Sequence, residues 1–488
     1  MYKNRLIMLL KTFTPDEFKQ FGHYVESPLY NSSKKVVELY RLLSKSYPSF
    51  SKDDVDQLKV FRAMFKGKQY SSMQVLYNLS NKLFELAKEF AAHCMYKISI
   101  QQELLLLNYL FVRDKRGALF QALLPSISKE VESMEMGVEY FYAHWIYEKG
   151  KEMQTQHQHL FKRKKMMPDM ETGNSIDHAG NLYLVNLINY INSFYRLRKD
   201  FNAELPHPYH ISFVEKLYES LEERVHPFVT LEFLRLKLTH YQRDEDFLAL
   251  KEAVFYLDFE VSKVVKYNMF TTLMNYCNAK SSKDLYFSEQ YLAVTAQAIA
   301  VDAYLIPINK QRAIEPGLFM NYVRHCIRLK QLTTAEAFIE MHREQVWDKY
   351  RTSAYHYTKA QLAFARQDFD EVYVHLQEIQ VNEADFFYML TAILRALLYY
   401  ELKEWLLLEP HLEAMRQYLM KHQSNTTKSL LVGRKHFIVL LRRLMNLHHQ
   451  CSRKRLNRLK EKLSVANVVN KEWLTEKLET LEKEYRGR

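Results

Sequence analysis

Glycine and proline are scarce in this chain, with only 10 and 11 in 488 residues, where average usage is about 7% and 5%. Both residues punctuate turns and end helices, so a sequence this poor in them spends few residues in loops. The expectation is an all-α protein. No two of the ten glycines stand closer than seven residues, the nearest pair being Gly173 and Gly180. That spacing excludes a phosphate-cradling glycine loop, a dinucleotide fingerprint and a nucleophile elbow of the usual sequence types. Neither an enzymatic activity nor a cofactor is expected.

Cysteine is equally sparse. Cys94, Cys277, Cys326 and Cys451 are scattered, with no pair at metal or redox spacing, and read as thiols of a reducing compartment. Long apolar runs are missing too. Leu6 to Leu10 gives five apolar residues before Lys11, short of the ~7 to 15 of a secretory core. Even the stretch from Leu104 to Val112 is interrupted by Asn108, far from the ~20 residues of a membrane span. A cytoplasmic protein with no membrane span is expected. Two histidines have a glutamate three residues earlier, Glu204 before His207 and Glu223 before His226, the spacing of carboxylate-bridged metal bundles. Pro206 and Pro227 interrupt both, and no metal is expected. His157 with His159, and His448 with His449, point to different helix faces.

What is present is bulky core material, 34 Tyr and 29 Phe in a chain that is 48% hydrophobic. At this length two or more packing units, or one elongated stack, are expected. Residues 1–95 read as an N-terminal helical domain. Thr14-Pro15-Asp16-Glu17 is a capping box with Pro at the first helical position, and Phe18, Phe21 and Val25 then share a face. A helix over about 33–45 follows, then one begun at Ser51 with Asp53, Asp54 and Asp56 favouring its amino end. After the turn Lys66-Gly67-Lys68, a long helix from Ser72 buries Leu76, Leu79, Leu83, Leu86 and Phe90. Helices are expected over about 104–111, 119–134 and 140–165, and loops over 167–181, 205–209 and 307–317. Helices over about 429–447, 452–464 and 471–485 finish the chain, with Asn470 as the cap of the last.

Residues 355–379 carry the clearest pattern. Two helices are joined by the polar turn Gln367-Asp368, with small Ala360 in the first, Phe369 just after the turn, and Val372 in the second. An aromatic at the turn fills the wedge between paired helices, while a small residue one turn inside lets the backbones approach. Sliding the register 37 residues backward and 36 forward aligns Val323, Ala360 and Ala396, then Leu332, Phe369 and Trp405. Ala335, Val372 and Leu408 follow, then Ile339, Leu376 and Leu412. The turn falls on Gln331, Gln367 and Lys403 in place of glycine. Upstream, Phe247, Leu250 and Val254 fit one further hairpin, and Leu285, Ser288 and Leu292 another loosely. Over about 318–420 the chain resembles tetratricopeptide-repeat proteins, whose unit is ~34 residues. The resemblance implies a right-handed α-solenoid of antiparallel helical hairpins over 96–428, closed by basic helices over 429–488, that holds a protein or peptide in an inner groove. Positions off the packed columns are the groove candidates: Asn321, Arg328, Tyr355, Lys359 and Arg366.

The net charge of +12 is uneven. Residues 1–100 carry sixteen Lys and Arg against nine Asp and Glu, and residues 430–488 carry fifteen against six, so the middle is acidic by four. Arg442, Arg443, Arg453, Lys454, Arg455 and Arg458, in a run that also holds Lys460 and Lys462, form a candidate polyanion patch that would grip phosphates with counterion release. The plainer readings are a solvated helix face or a patch docked on the acidic middle. The run Phe161-Lys162-Arg163-Lys164-Lys165 favours the carboxyl end of its own helix. The N-terminal block resembles the helix-turn-helix modules that precede such repeats in bacterial regulators. Its helix with Asn78, Asn81 and Lys82 would take the recognition role, yet it lacks an Arg-rich start, and core packing is its expected role. The sequence thus points to a non-enzymatic protein- or peptide-binding scaffold. The alternative is a nucleic-acid-binding or transcription-regulatory protein that uses the basic ends.

Overall fold

The computed structural model describes residues 5–65, 73–98, 118–162, 174–201, 211–308, 311–379, 387–423, 428–449 and 452–486. Among them the chain is all-helical apart from one two-stranded ribbon and an isolated bridge. None of their helices is long and apolar enough to cross a membrane. The expected turn at Lys66 to Lys68, the helix over 104–111, the loop over 205–209 and the basic residues 163–165 lie outside the described residues. By internal contacts the chain divides into two bodies, Met1–Met134 with Ala143–Ser175, and Glu135–Tyr142 with Ile176–Arg488.

The first body opens with α1 (Arg5–Leu10), α2 (Pro15–Glu26), α3 (Lys34–Ser44), α4 (Gln57–Met64) and α5 (Gln74–Ile98). The capping box forms as its residues dictate: Glu17 N–H donates to Thr14 Oγ1 at 3.2 Å and Thr14 N–H to Glu17 Oε2 at 2.7 Å. Phe18, Phe21 and Val25 are then buried with the Leu76, Leu79, Leu83, Leu86 and Phe90 stripe of α5. Gly22 is required where it stands, because a Cβ there would lie 2.7 Å from the Tyr40 hydroxyl. The helix expected from Ser51 starts later. Asp56 accepts from the N–H groups of Leu58 and Lys59, both at 3.0 Å, so it caps α4, while Ser51 and Asp54 close the preceding turn. Beyond α5, α6 (Ala118–Glu132) and the part of α7 (Val138–Lys162) from Ala143 onward share a small core of Ile127, Val131, Ala143 and Tyr147.

In the second body, α8 (Asn174–Phe201) overturns the loop expected over 167–181 wherever the structure describes it. Gly180 and Asn181 read as breakers, but here both serve packing. A Cβ on Gly180 would sit 3.2 Å from Leu221. Asn181 is buried, donating to the carbonyls of Asp177 and Arg224 and accepting from His226 N–H, all within 2.9 Å. Next come α9 (Ile211–Leu221), α10 (Pro227–Tyr241), α11 (Asp244–Phe255), α12 (Lys263–Lys280) and α13 (Tyr286–Ala300). The break expected over 307–317 contains an antiparallel ribbon, β1 (Ile306–Ile308) with β2 (Gln311–Ala313), and Pro316 then opens α14.

The remaining helices are α14 (Pro316–Arg328), α15 (Leu332–His342), α16 (Arg351–Arg366), α17 (Phe369–Gln377), α18 (Phe387–Glu401), α19 (Trp405–Lys421), α20 (Lys428–His449), α21 (Arg453–Val465) and α22 (Lys471–Arg486). From α10 onward each packs on its chain neighbour, and α16 also touches both α14 and α18. One turn chemistry joins the three hairpins. Lys330, Gln367 and Lys403 adopt left-handed φ values of 59°, 63° and 58°, and the following N–H donates five residues back: Gln331 to Cys326, Asp368 to Ala363, Glu404 to Tyr399, at 2.8 to 3.0 Å. These are Schellman motifs built without glycine. The register set the first turn on Gln331, whereas the left-handed residue is Lys330, and Gln331 precedes α15 as its N-cap residue. The aligned columns are buried throughout: Val323, Ala360 and Ala396, then Ala335, Val372 and Leu408, then Ile339, Leu376 and Leu412. Leu332, Phe369 and Trp405 each start a helix, half-buried against the core. In the loosest set Leu285 is exposed, while buried Ser288 meets His325. Cys277 and Cys326 lie in this core, where burial pushes both thiols up to about 12.

A candidate binding cleft between two C-terminal helices

α20 and α21 are amphipathic in complementary ways. In α20, Phe437, Ile438, Leu440, Leu441, Leu444, Met445 and Leu447 are buried, leaving His436, Val439, Arg443 and Asn446 exposed at helical spacing. In α21, Leu456, Leu459 and Leu463 are buried with Leu474, Leu478 and Leu481 of α22. That leaves Arg455, Arg458, Lys462 and Val465 exposed. Ser452 caps α21, its hydroxyl accepting from Arg455 N–H at 3.3 Å. The two helices run antiparallel, because the segment after α21 returns to the first turns of α20. His436 Nδ1 is 2.7 Å from the Asn467 carbonyl, and Val469 N–H donates to the Gly433 carbonyl at 3.4 Å.

Between the exposed stripes lies an open cleft. One part, of about 560 Å³, is lined by Arg443, Asn446, Arg455, Arg458 and Lys462 over a floor of Leu447 and Leu459. A second part, of about 340 Å³, shares Arg443 and Lys462 and continues to Val439, Leu440, Val465, Ala466 and His436. Arg443, Arg458 and Lys462 make no ion pair among the described residues. Three other cations nearby are neutralised: Arg442 by Glu409 at 2.8 Å, Lys460 by Glu482 at 3.1 Å, Lys477 by Glu401 at 2.7 Å. Like charges three or four residues apart cost a helix about 0.2 to 0.5 kcal/mol each. The cleft therefore keeps its charge at a small expense in stability.

Of the patch candidates, Arg443, Arg455 and Arg458 line this cleft. Arg442 turns to Glu409 and Glu413, and Arg453 and Lys454 are exposed in the first turn of α21, outside it. Lys462 completes the cationic stripe with Arg455 and Arg458 at i, i+3 and i+7, which is the signal that finds it. His436, Val439, Asn446 and Val465 were not singled out by the sequence, because nothing in their own neighbourhood marks a shared face between two helices.

The groove candidates fall in separate places. Lys359 meets Glu336 at 3.3 Å and Glu340 at 2.9 Å, and Arg366 meets Glu336 at 2.5 Å. The guanidinium of Arg366, then the ammonium of Lys359, holds the Glu336 carboxyl below its usual range. Tyr355 lies beneath the Arg343 guanidinium, 5.6 Å from its ring centroid. Those three side chains face α15 and tie the hairpins together. Arg328 pairs with Glu472 of α22, and Asn321 is half-buried in α14.

His226 caps α10, its Nδ1 accepting from Phe228 N–H at 3.1 Å. His448 Nε2 is 2.8 Å from the Tyr400 hydroxyl. Glu204 and His207 lie outside the described residues. No group of three or more metal-ligating side chains occurs among the described residues. No family model, no curated protein and no solved structure matches this chain.

Proposed function

We propose that this chain is a non-enzymatic, cytoplasmic scaffold, a tetratricopeptide-like stack of helical hairpins that binds another protein through its C-terminal cleft. The observation that carries the reading is an open, two-part cleft in which Arg443, Arg458 and Lys462 make no ion pair among the described residues, while Arg442, Lys460 and Lys477 beside it are paired. Support for the stack comes from the three glycine-free Schellman turns at 330, 367 and 403 and from α16 touching both α14 and α18. A preformed groove between rigid helices binds without the cost of ordering a loop. Of the positions assigned to an inner groove from the sequence, Arg328, Tyr355, Lys359 and Arg366 are engaged by their own neighbours, which supports taking α20 and α21 as the docking face.

The second reading, nucleic-acid binding at the basic ends, is favoured by the same three cations, Arg443, Arg458 and Lys462. Titration of a 20-base-pair duplex at about 50 and 200 mM salt separates the two. Weak binding that Arg458→Glu with Lys462→Glu leaves unchanged fits the scaffold. Tight binding with a steep salt dependence lost in that variant would replace the scaffold with the nucleic-acid reading.

A further inference from the structure

We infer that the α20/α21 cleft takes an acidic amphipathic helix of about three turns from a partner protein, an inference that rests on the scaffold reading above. The length follows from the cleft. His436 to Leu447 is eleven residue steps along α20, about 16 Å at 1.5 Å per step, which is three turns of a ligand helix lying alongside.

Chemical character is segregated along that length. At the end marked by Val465, 84% exposed, and Val439, 45% exposed, the wall adds apolar surface, with Leu440 and Ala466, to the shared Arg443 and Lys462. At the end marked by Arg455 and Arg458 it is cationic over a leucine floor. A ligand must therefore bring apolar side chains to one end and negative charge to the other. A nucleic-acid backbone presents phosphate along its whole length and has nothing to place on Val439 and Val465. The cleft lining also offers no Phe, Tyr or Trp ring on which a base could stack, and its one imidazole, His436, is engaged by the Asn467 carbonyl. A small phosphate is poorly served by a trough this wide and open.

Helical register selects carboxylates on a helix. Arg458 and Lys462 stand at i and i+4, and two acids four residues apart on an antiparallel ligand helix rise at the same 1.5 Å per residue. Each acid can then meet one cation without distortion. The ligand helix would complete a three-helix cluster with α20 and α21, covering the leucine floor, as amphipathic helices do in preformed grooves.

The test is selection of a phage-displayed library of helix-forming 16-residue peptides on the full chain. Expected is enrichment of peptides with two or more apolar residues toward one end and acids at helical spacing toward the other. Their affinity should fall about tenfold or more in Arg458→Glu with Lys462→Glu, and comparably in Val439→Asp. All three positions are exposed, and an unchanged melting curve confirms that each variant folds. Enriched peptides that lack acids, or that bind both variants as tightly as the parent, overturn the inference and leave the scaffold reading standing. A library that enriches nothing, or a 20-base-pair duplex that displaces the enriched peptides with a steep salt dependence, overturns both.

Discussion

His325 is held neutral inside the hairpin core, and its protonation is predicted to make the second body sensitive to acid. The side chain is fully buried. Its Nδ1 lies 3.1 Å from Ser288 Oγ of α13, and its ring stacks on Tyr291 at 4.1 Å. Burial, with Arg324 and then Arg328 adding repulsion, lowers its pKa to about 3 from the ordinary 6.5. For a base whose folded pKa is depressed, the unfolded chain binds more protons. The stabilisation is therefore complete above pH 6.5 and is lost as pH falls from 6.5 toward 3. At about pH 5 the unfolded form is favoured by 1.5 pH units' worth of protonation, about 2 kcal/mol at 1.36 kcal/mol per unit. The assay is urea denaturation followed by circular dichroism at about pH 7.5 and pH 5, on the parent and on His325→Asn, which keeps an acceptor for the Ser288 hydroxyl. His226, His240, His356 and His411 are also lowered, chiefly by burial, and remain in both proteins, so the difference isolates His325. The parent should lose about 2 kcal/mol more than the variant between the two conditions. Parallel losses would refute a buried neutral imidazole at this position.

Three further outcomes follow from the packing. Gln367→Gly relieves a left-handed residue that costs about 1 kcal/mol without glycine, less the added freedom of the unfolded chain, so a gain of about 0.5 kcal/mol is expected in urea titrations, and Gln367→Val should lose stability. Asn181→Leu strips the Arg224 carbonyl and the His226 N–H of their buried partner and should cost about 2 to 3 kcal/mol, read as a lower melting temperature. Arg458→Gln with Lys462→Gln removes like-charge repulsion and should leave the melting temperature unchanged or slightly raised, in contrast to its effect on binding.

The hairpins were legible because their signals are local. Buried columns at 323, 360 and 396, and wedge residues at 332, 369 and 405, recur at fixed spacing in one strand of sequence. Helix starts were legible where a cap and a hydrophobic face coincide, as at Thr14, and less so where acids compete for the role, as at Asp53, Asp54 and Asp56. Gly180 and Asn181 misled because the same residue types that break helices also permit close packing and satisfy buried carbonyls. The cleft was half legible. Its charge lies in one run, but its apolar end comes from Val439 on α20 and Val465 on α21, which only the antiparallel pairing brings together. Of the inner-groove candidates, Tyr355, Lys359 and Arg366 share a face of α16, and the sequence could not tell that Glu336 and Glu340 would meet it or that Glu472 would meet Arg328.

The central claim is that the α20/α21 cleft recognises an acidic amphipathic helix. Its most direct test is calorimetric titration of one library-selected acidic peptide into the full chain, the Arg458→Glu with Lys462→Glu variant, and a charge-restored peptide in which the matching acids are lysines. The claim predicts binding by the parent, loss of about tenfold or more in the variant, and recovery when the lysine peptide meets the variant. Equal affinity of the acidic peptide for parent and variant would contradict it.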